Sequence, residues 1–202
     1  MIKNFTKRFR GFLPVVIDVE TGGLNPQTDA LLEIAASFVG INEANKLYRD
    51  KTLAYHIEPF PGTNLDPESL EFNKIDPFHP FRFARPEKDV LKELFQAIQQ
   101  TVHTFRCQRA VLVGHNAWFD LLFVKAAAAR NHLALPFHAF TCFDTASLAG
   151  VSLGQTVLAK ALEKAGIEFD TREAHSAIYD AEKTAELFCY IVNRWGSIAG
   201  NE

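Results

Sequence analysis

The chain lacks any run of 18 apolar residues, so nothing in it is built to span a bilayer as a helix. It has three cysteines, Cys107, Cys142 and Cys189, and no CxxC pair. So odd and scattered a set excludes a disulfide framework and a cysteine-ligated zinc site, and reduced, packed thiols are expected. The N-terminus has no apolar signal-peptide core, because Lys3, Lys7, Arg8 and Arg10 interrupt its phenylalanines. These absences predict a soluble, cytoplasmic protein without a membrane partner. Strong charge of one sign is missing too, at a formal net charge of −3. That alone disfavours nucleic acid as a partner. Residues 1–17, however, carry four cations and no acid, and metal held by the four carboxylates singled out below would leave +1. Bulk charge does not decide the partner.

What is present is ordinary globular material: 202 residues, 48% hydrophobic and 22% charged. A chain of this size removes roughly 70% of its unfolded surface from water, which predicts one domain over 1–202. A basic segment of about 1–13 precedes a core of about 14–195. The run PVVIDVE at 14–20 reads as a strand, followed by the turn-formers TGGLNPQTD. Residues 31–40 and 52–58 read as two more strands, joined too closely for helical crossovers, so the first three predict an antiparallel meander. The stretch 59–86 holds six prolines and five phenylalanines and predicts a loop with short helical turns. Helical spacing of Val90, Leu91, Leu94, Phe95, Ile98 and Val102 follows Pro86. A buried strand at 110–113, a helix at 117–130, a strand at 140–144 and helices at 154–165 and 176–195 complete an α/β pattern with a mixed sheet. Chemistry is expected at the carboxyl ends of its strands.

Three short segments carry that chemistry. Asp18 and Glu20 lie two apart on the first strand, so the pleat points both to one face. Alone they also read as solvated acids, but Asp18 sits between Ile17 and Val19, where an unpaired carboxylate is costly. In GHNAWFD, Asp120 lies about one turn inside a helix that starts near Asn116, with His115 and Asn116 equally readable as capping residues. In AHSAIYD, His175 and Asp180 are five apart, about 140° around a helix, so His175 must precede the helix to meet Asp180, with Ser176 as N-cap. Four carboxylates without sulfur suit Mg²⁺ or Mn²⁺. Two such ions about 4 Å apart stabilise the attacking and leaving oxygens of an in-line displacement at phosphorus. A histidine titrating near neutrality supplies the base for water.

DVETGG, HNAWFD and HSAIYD, in this order, resemble the three motifs of the DEDDh 3′-to-5′ exonucleases of the RNase H-like superfamily. In the tyrosine branch of that family a Tyr stands four before the last Asp; here that position is Ser176, and the histidine five before matches the DEDDh branch. Further blocks, FRGFLPVVIDVETGG, ESLEFNKID, FDTASLAGVSLGQTVL and FCYIVNRW, resemble the family's RNA-trimming members over residues 9–195. The resemblance implies an RNase H-like five-stranded mixed sheet, a three-strand antiparallel meander plus two parallel strands, flanked by helices. It implies that Asp18, Glu20, Asp120 and Asp180 hold two Mg²⁺ ions, with Mn²⁺ as substitute, and that His175 is the general base. It implies that backbone at Thr21 and Gly22 receives the 3′-terminal nucleotide, that Phe72, Phe119 and Phe140 stack on terminal bases, and that Glu68 addresses a base edge. A fourth stacking aromatic falls here on Leu24, which offers an apolar surface without a ring. The implied activity is trimming of single-stranded 3′ ends of tRNA, ribosomal RNA precursors and other small stable RNAs, releasing nucleoside 5′-monophosphates. Single-stranded DNA is a second substrate. The implied assembly is a homodimer in which Arg8, Arg10 and Arg109, with Lys7 and Arg106, face the other subunit's active site. A DNA proofreading exonuclease and a non-catalytic RNA-binding module are the rival readings; no extra tail for a polymerase is seen, and an intact set of acids argues against the module.

Overall fold

The computed structural model describes residues 5–198. Residues 1–4 of the basic segment, Lys3 among them, and 199–202 lie outside the described residues. Five strands form one mixed sheet: β1 (Phe12–Thr21), β2 (Leu31–Ile41), β3 (Leu47–His56), β4 (Arg109–Gly114) and β5 (Phe137–Asp144), in the order β3-β2-β1-β4-β5. β1 to β3 make the expected antiparallel meander, and β4 and β5 run parallel to β1. Nine of the ten residues of β1 are buried, Asp18 being the half-buried exception. A carboxylate in a strand of that kind is held by neighbours or by a cation.

Helices α1 (Pro67–Asn73), α2 (Glu87–Thr104), α3 (Trp118–Arg130), α4 (Thr145–Leu153), α5 (Leu158–Ala165) and α6 (Ala177–Ile198) flank the sheet. α2 buries Val90, Leu91, Leu94, Phe95 and Ile98 as its spacing predicts, and α6 packs across β1, β2 and β3. Several boundaries differ from the sequence reading, among them the start of β5, at Phe137 rather than 140. β3 starts at Leu47 rather than 52, because the Asn193 amide of α6 accepts from Leu47 N and donates to Leu47 O at 2.8 and 2.9 Å. The predicted helix 154–165 begins at Leu158, and α4, absent from that reading, fills 145–153. Asp144 caps α4 by accepting from the backbone of Ala146 and Ser147, and left-handed Gly154 ends it. α3 begins at Trp118, two residues after the left-handed Asn116.

The loop 59–86 contains α1 and a single 3₁₀ turn at Pro80–Arg82, in line with short helical turns. Cys107 and Cys142 are half-buried and Cys189 is buried, all three free.

Candidate active site

The acids gather where β1 ends. One carboxylate oxygen each of Asp18, Glu20 and Asp180 lies within 4.8 Å of the others. Burial, followed by repulsion from Asp120, Glu20, Asp180 and Glu33, holds Asp18 well above the usual carboxylate range. Burial, then Asp180, Glu33 and Asp120, lifts Glu20 from 4.5 to about 8. Asp180 is raised by burial against the opposing pull of the His175 backbone N–H, which donates to its Oδ2 at 3.0 Å. Its Oδ1 is buried with no hydrogen-bond partner. An orphaned carboxylate oxygen among acids that repel one another is unfavourable without a cation. The donors are all hard oxygens, and they fit a hard divalent ion.

Asp120 stands outside that three-residue set. It occupies the first turn of α3, is 4% exposed, and burial raises it to about 8. Its Oδ1 accepts from Val19 N at 3.1 Å, so the helix grips β1 between the two strand acids. The loop between β4 and α3 is fixed in turn. Asn116 N donates to Asp144 Oδ1 at 2.8 Å, and the His115 ring spans Thr145 Oγ1 and Thr156 O at 2.9 and 2.8 Å. His115 therefore ties the end of β4 to the start of α4 and to the turn that leads from α4 to α5, and does not cap α3.

His175 lies on the loop before α6, as its five-residue spacing from Asp180 requires, with φ +66°. Ser176 takes the N-cap position, its carbonyl accepting from Asp180 N at 3.0 Å. The His175 ring is exposed and packs on Phe72 with centroids 4.3 Å apart. Both flank a groove of about 550 Å³ that also takes in Asp18, Glu20, Asp180, Thr21, Leu24, Glu68 and Phe119.

Two tethers shape this groove. Asn73, buried at the end of α1, donates from Nδ2 to Thr21 O at 3.0 Å, fastening the helix that carries Glu68 and Phe72 to the strand that carries the acids. Asp29, buried, accepts from Asn25 N, Thr28 Oγ1 and Asn64 Nδ2 at 2.9, 2.7 and 3.1 Å. Burial opposes its ionisation, but these bonds prevail and hold it below the usual range. The loop bearing Leu24 closes over it so tightly that a Cβ on Gly23 would lie 2.0 Å from Asp29 Oδ2.

Not every expected site residue meets the groove. Gly22 spends its N–H on Ala30 O and its carbonyl on Asp66 N. Phe140 is 90% exposed on β5, its ring 6.2 Å from His138, which packs 5.2 Å from Phe12. Arg10 lies over Phe12, and Arg109 pairs with Phe12 in the sheet, at the amino end of β1. Six to eight strand residues, roughly 20–26 Å, separate that end from the acids. Arg8 instead lines a second, more apolar groove of about 830 Å³ with Lys7, Phe9, Phe143, Val151 and Trp195.

A family described as exonuclease, RNase_T, matches residues 15–188, which takes in all the acids and His175. The chain belongs to the RNase_T exonuclease family. It is similar to ribonuclease T of Shewanella oneidensis, 57% identical over 194 residues that cover 96% of this chain and 87% of that one. Ribonuclease T of Vibrio vulnificus is 56% identical over 196 residues, 96% and 90% of the two chains. Among solved structures, E. coli exonuclease I in complex with a dT13 oligonucleotide superposes with a TM-score of 0.71 at 16% identity. That match covers 94% of this chain and 43% of exonuclease I, so this chain spans less than half of that neighbour. A full-length 3′-exonuclease gives a TM-score of 0.70 at 18% identity, covering 91% and 84%. The shared fold is the RNase H-like sheet described above.

Sequence reading alone missed the RNase_T groove's supports. Asn73 and Thr21 are 52 residues apart, and Asp29 and Asn64 are 35 apart. Their polar side chains look like ordinary turn-formers until the chain is folded. The one usable hint was TGG itself, since paired glycines after a strand mark a place where backbone packs closely.

Proposed function

We propose that this RNase_T-family exonuclease is a divalent-metal-dependent 3′-to-5′ exoribonuclease that trims single-stranded 3′ ends of tRNA and other stable RNAs in the cytoplasm, releasing nucleoside 5′-monophosphates. The observation that carries the reading is the convergence of Asp18, Glu20 and Asp180 with the orphaned, buried Oδ1 of Asp180. Asp18, Glu20 and Asp180 would hold Mg²⁺, with Mn²⁺ as substitute, and Asp120, whose Oδ1 is bonded to Val19 N, would complete the donor set. When bound, the ions would supply positive charge to the phosphodiester oxygens.

The chain's own residues do the rest. Exposed and on a loop, His175 takes a proton from the attacking water, while its backbone N–H keeps Asp180 turned toward the cluster. Phe72 and Phe119 offer ring faces to unpaired bases, Leu24 an apolar face, and Glu68 a carboxylate for a base edge. Thr21, beside Gly22 at the end of β1, borders the place for the terminal nucleotide.

A homodimer suits the distribution of charge. Arg10 and Arg109 are too far along β1 to serve their own chain's groove, and a second copy brings such cations, with Phe140 beside them, to the acids. The apolar groove beside Arg8, with exposed Val151 and Trp195, offers surface for that contact.

The test is degradation of end-labelled RNA and single-stranded DNA that differ only in their last nucleotides, with Mg²⁺ and with a chelator. Stepwise loss of single 3′ nucleotides from RNA, abolished by the chelator, is expected. Internal cuts, or shortening that survives chelation, would overturn the proposal, and a preference for DNA ends would favour the editing-exonuclease reading.

A further inference from the structure

Six to eleven residues beyond Phe72 the chain exposes three more phenylalanines that the groove does not use. Phe78, Phe81 and Phe83 are 75%, 76% and 79% exposed within one short turn. Solvent-exposed rings at this density, on a turn and not in a core, mark a contact surface.

The turn is pinned rather than loose. Phe78 N donates to Asp76 Oδ1 at 3.1 Å and Phe81 N to His79 Nδ1 at 3.3 Å. Arg82 donates from Nη1 to Pro77 O at 3.1 Å and from Nη2 to Leu32 O at 2.9 Å. Phe83 sits in the left-handed region at φ +50°, and a bridge between Ile57 and Arg85 closes the segment. Rings displayed on such a frame lose little freedom when they are covered.

Position and charge indicate what covers them. Leu32, the anchor of Arg82, lies between Leu31 and Glu33, the cross-strand partners of Thr21 and Glu20. The turn is therefore fastened to the strand end that carries the acids, and its other flank is α1, which bears Glu68 and Phe72. From 74 to 88 the sequence holds four cations, Lys74, Arg82, Arg85 and Lys88, against two acids, Asp76 and Glu87. Glu87 is paired with Arg130 and Arg85 with Glu93, and Arg82 spends both Nη atoms on backbone carbonyls, which leaves the exposed Lys74 and Lys88 as the cations for phosphate. Exposed aromatic rings with lysines on either side, on the segment that follows α1, are what a single strand needs: π-faces for bases and positive charge for phosphates. We propose that the 77–83 turn is a second contact surface for single-stranded nucleic acid, stacking Phe78, Phe81 and Phe83 on unpaired bases outside the catalytic groove.

This inference rests on the exoribonuclease reading for its ligand, and the experiment separates the two by measuring binding without turnover. Fluorescence anisotropy in chelator would compare a labelled oligouridylate of about 15 nucleotides with a trinucleotide, on the full chain and on the triple variant Phe78→Ser, Phe81→Ser, Phe83→Ser. The expected result is a rise of about tenfold or more in Kd for the long strand, with the trinucleotide unaffected. Because all three rings are exposed, the variant's melting temperature should match the parent's, and each single substitution should give part of the effect. An unchanged Kd for the long strand, an equal loss for the trinucleotide, or no binding of the long strand by the parent chain would overturn the proposal. So would a shift in sedimentation coefficient in place of the binding loss, since it would assign the rings to protein contact. A chain that binds the long strand through these rings yet leaves RNA intact with Mg²⁺ would refute the activity and spare this surface.

Discussion

At the scale of single residues, the site works by withholding neutralisation. Glu20 is buried, Asp18 and Asp180 are half-buried, and the three are close and mutually repelling, so replacing one with its amide should relieve the folded chain while removing a metal donor. Asp18→Asn and Asp180→Asn are expected to abolish turnover and leave the fold intact, checked by single-turnover assays beside circular dichroism. Wild-type-like activity in either would reject the donor assignment. His175→Ala should slow hydrolysis by about 10²- to 10⁴-fold with little change in substrate affinity; an unaltered rate would remove it as the base. The three motifs were legible because each joins residue types that a plain core or surface does not need. What the residues could not announce was their ranking: only the folded chain separates Asp120, bound to Val19 N, from the trio that shares one sphere.

At the scale of elements, the groove depends on tethers between segments remote in sequence. Asn73→Leu would leave the Thr21 carbonyl without its buried donor, at a cost of about 1–3 kcal/mol. Because α1 would then drift from β1, KM should rise more than kcat falls, and steady-state kinetics on a short RNA would show it. Equal effects on both constants would mean the tether matters to the acids instead. Elsewhere, α2 and α3 are joined by an ion pair whose carboxylate, Glu87, is buried and whose guanidinium, Arg130, is half-buried. Arg130 Nη2 and Nε reach Glu87 Oε1 and Oε2 at 2.6 and 2.7 Å. Arg130→Ala should destabilise the fold by about 3–5 kcal/mol in urea unfolding, since Glu87 would keep only Asn131. β1, from its β-branched run bounded by turn-formers, and α2, from its helical spacing, were readable in advance. α4 was not, because TASLAGVSL has neither a polar face nor a strand's alternation, and its cap, Asp144, is recognisable only once its partners are placed.

At the scale of the whole molecule, the same acids set the response to pH. Glu20 titrates near 8 in the folded chain and near 4.5 ordinarily. Between those values the folded state holds a proton that the unfolded chain has released, so metal-free stability should fall as pH rises through this window and return on acidification. Bound metal replaces that proton. Mn²⁺ should therefore raise the melting temperature far more at about pH 8 than at about pH 5, measured by scanning calorimetry with and without chelator. An increment independent of pH would contradict the burial of these acids. The backbone of His175 adds a last consequence. A histidine at φ +66° occupies a conformation that glycine adopts without steric cost. Screened only for survival of heating, a mutant library should enrich glycine over alanine at position 175 and collect robust proteins that no longer cut, so directed evolution of a hardier variant must score turnover in every round.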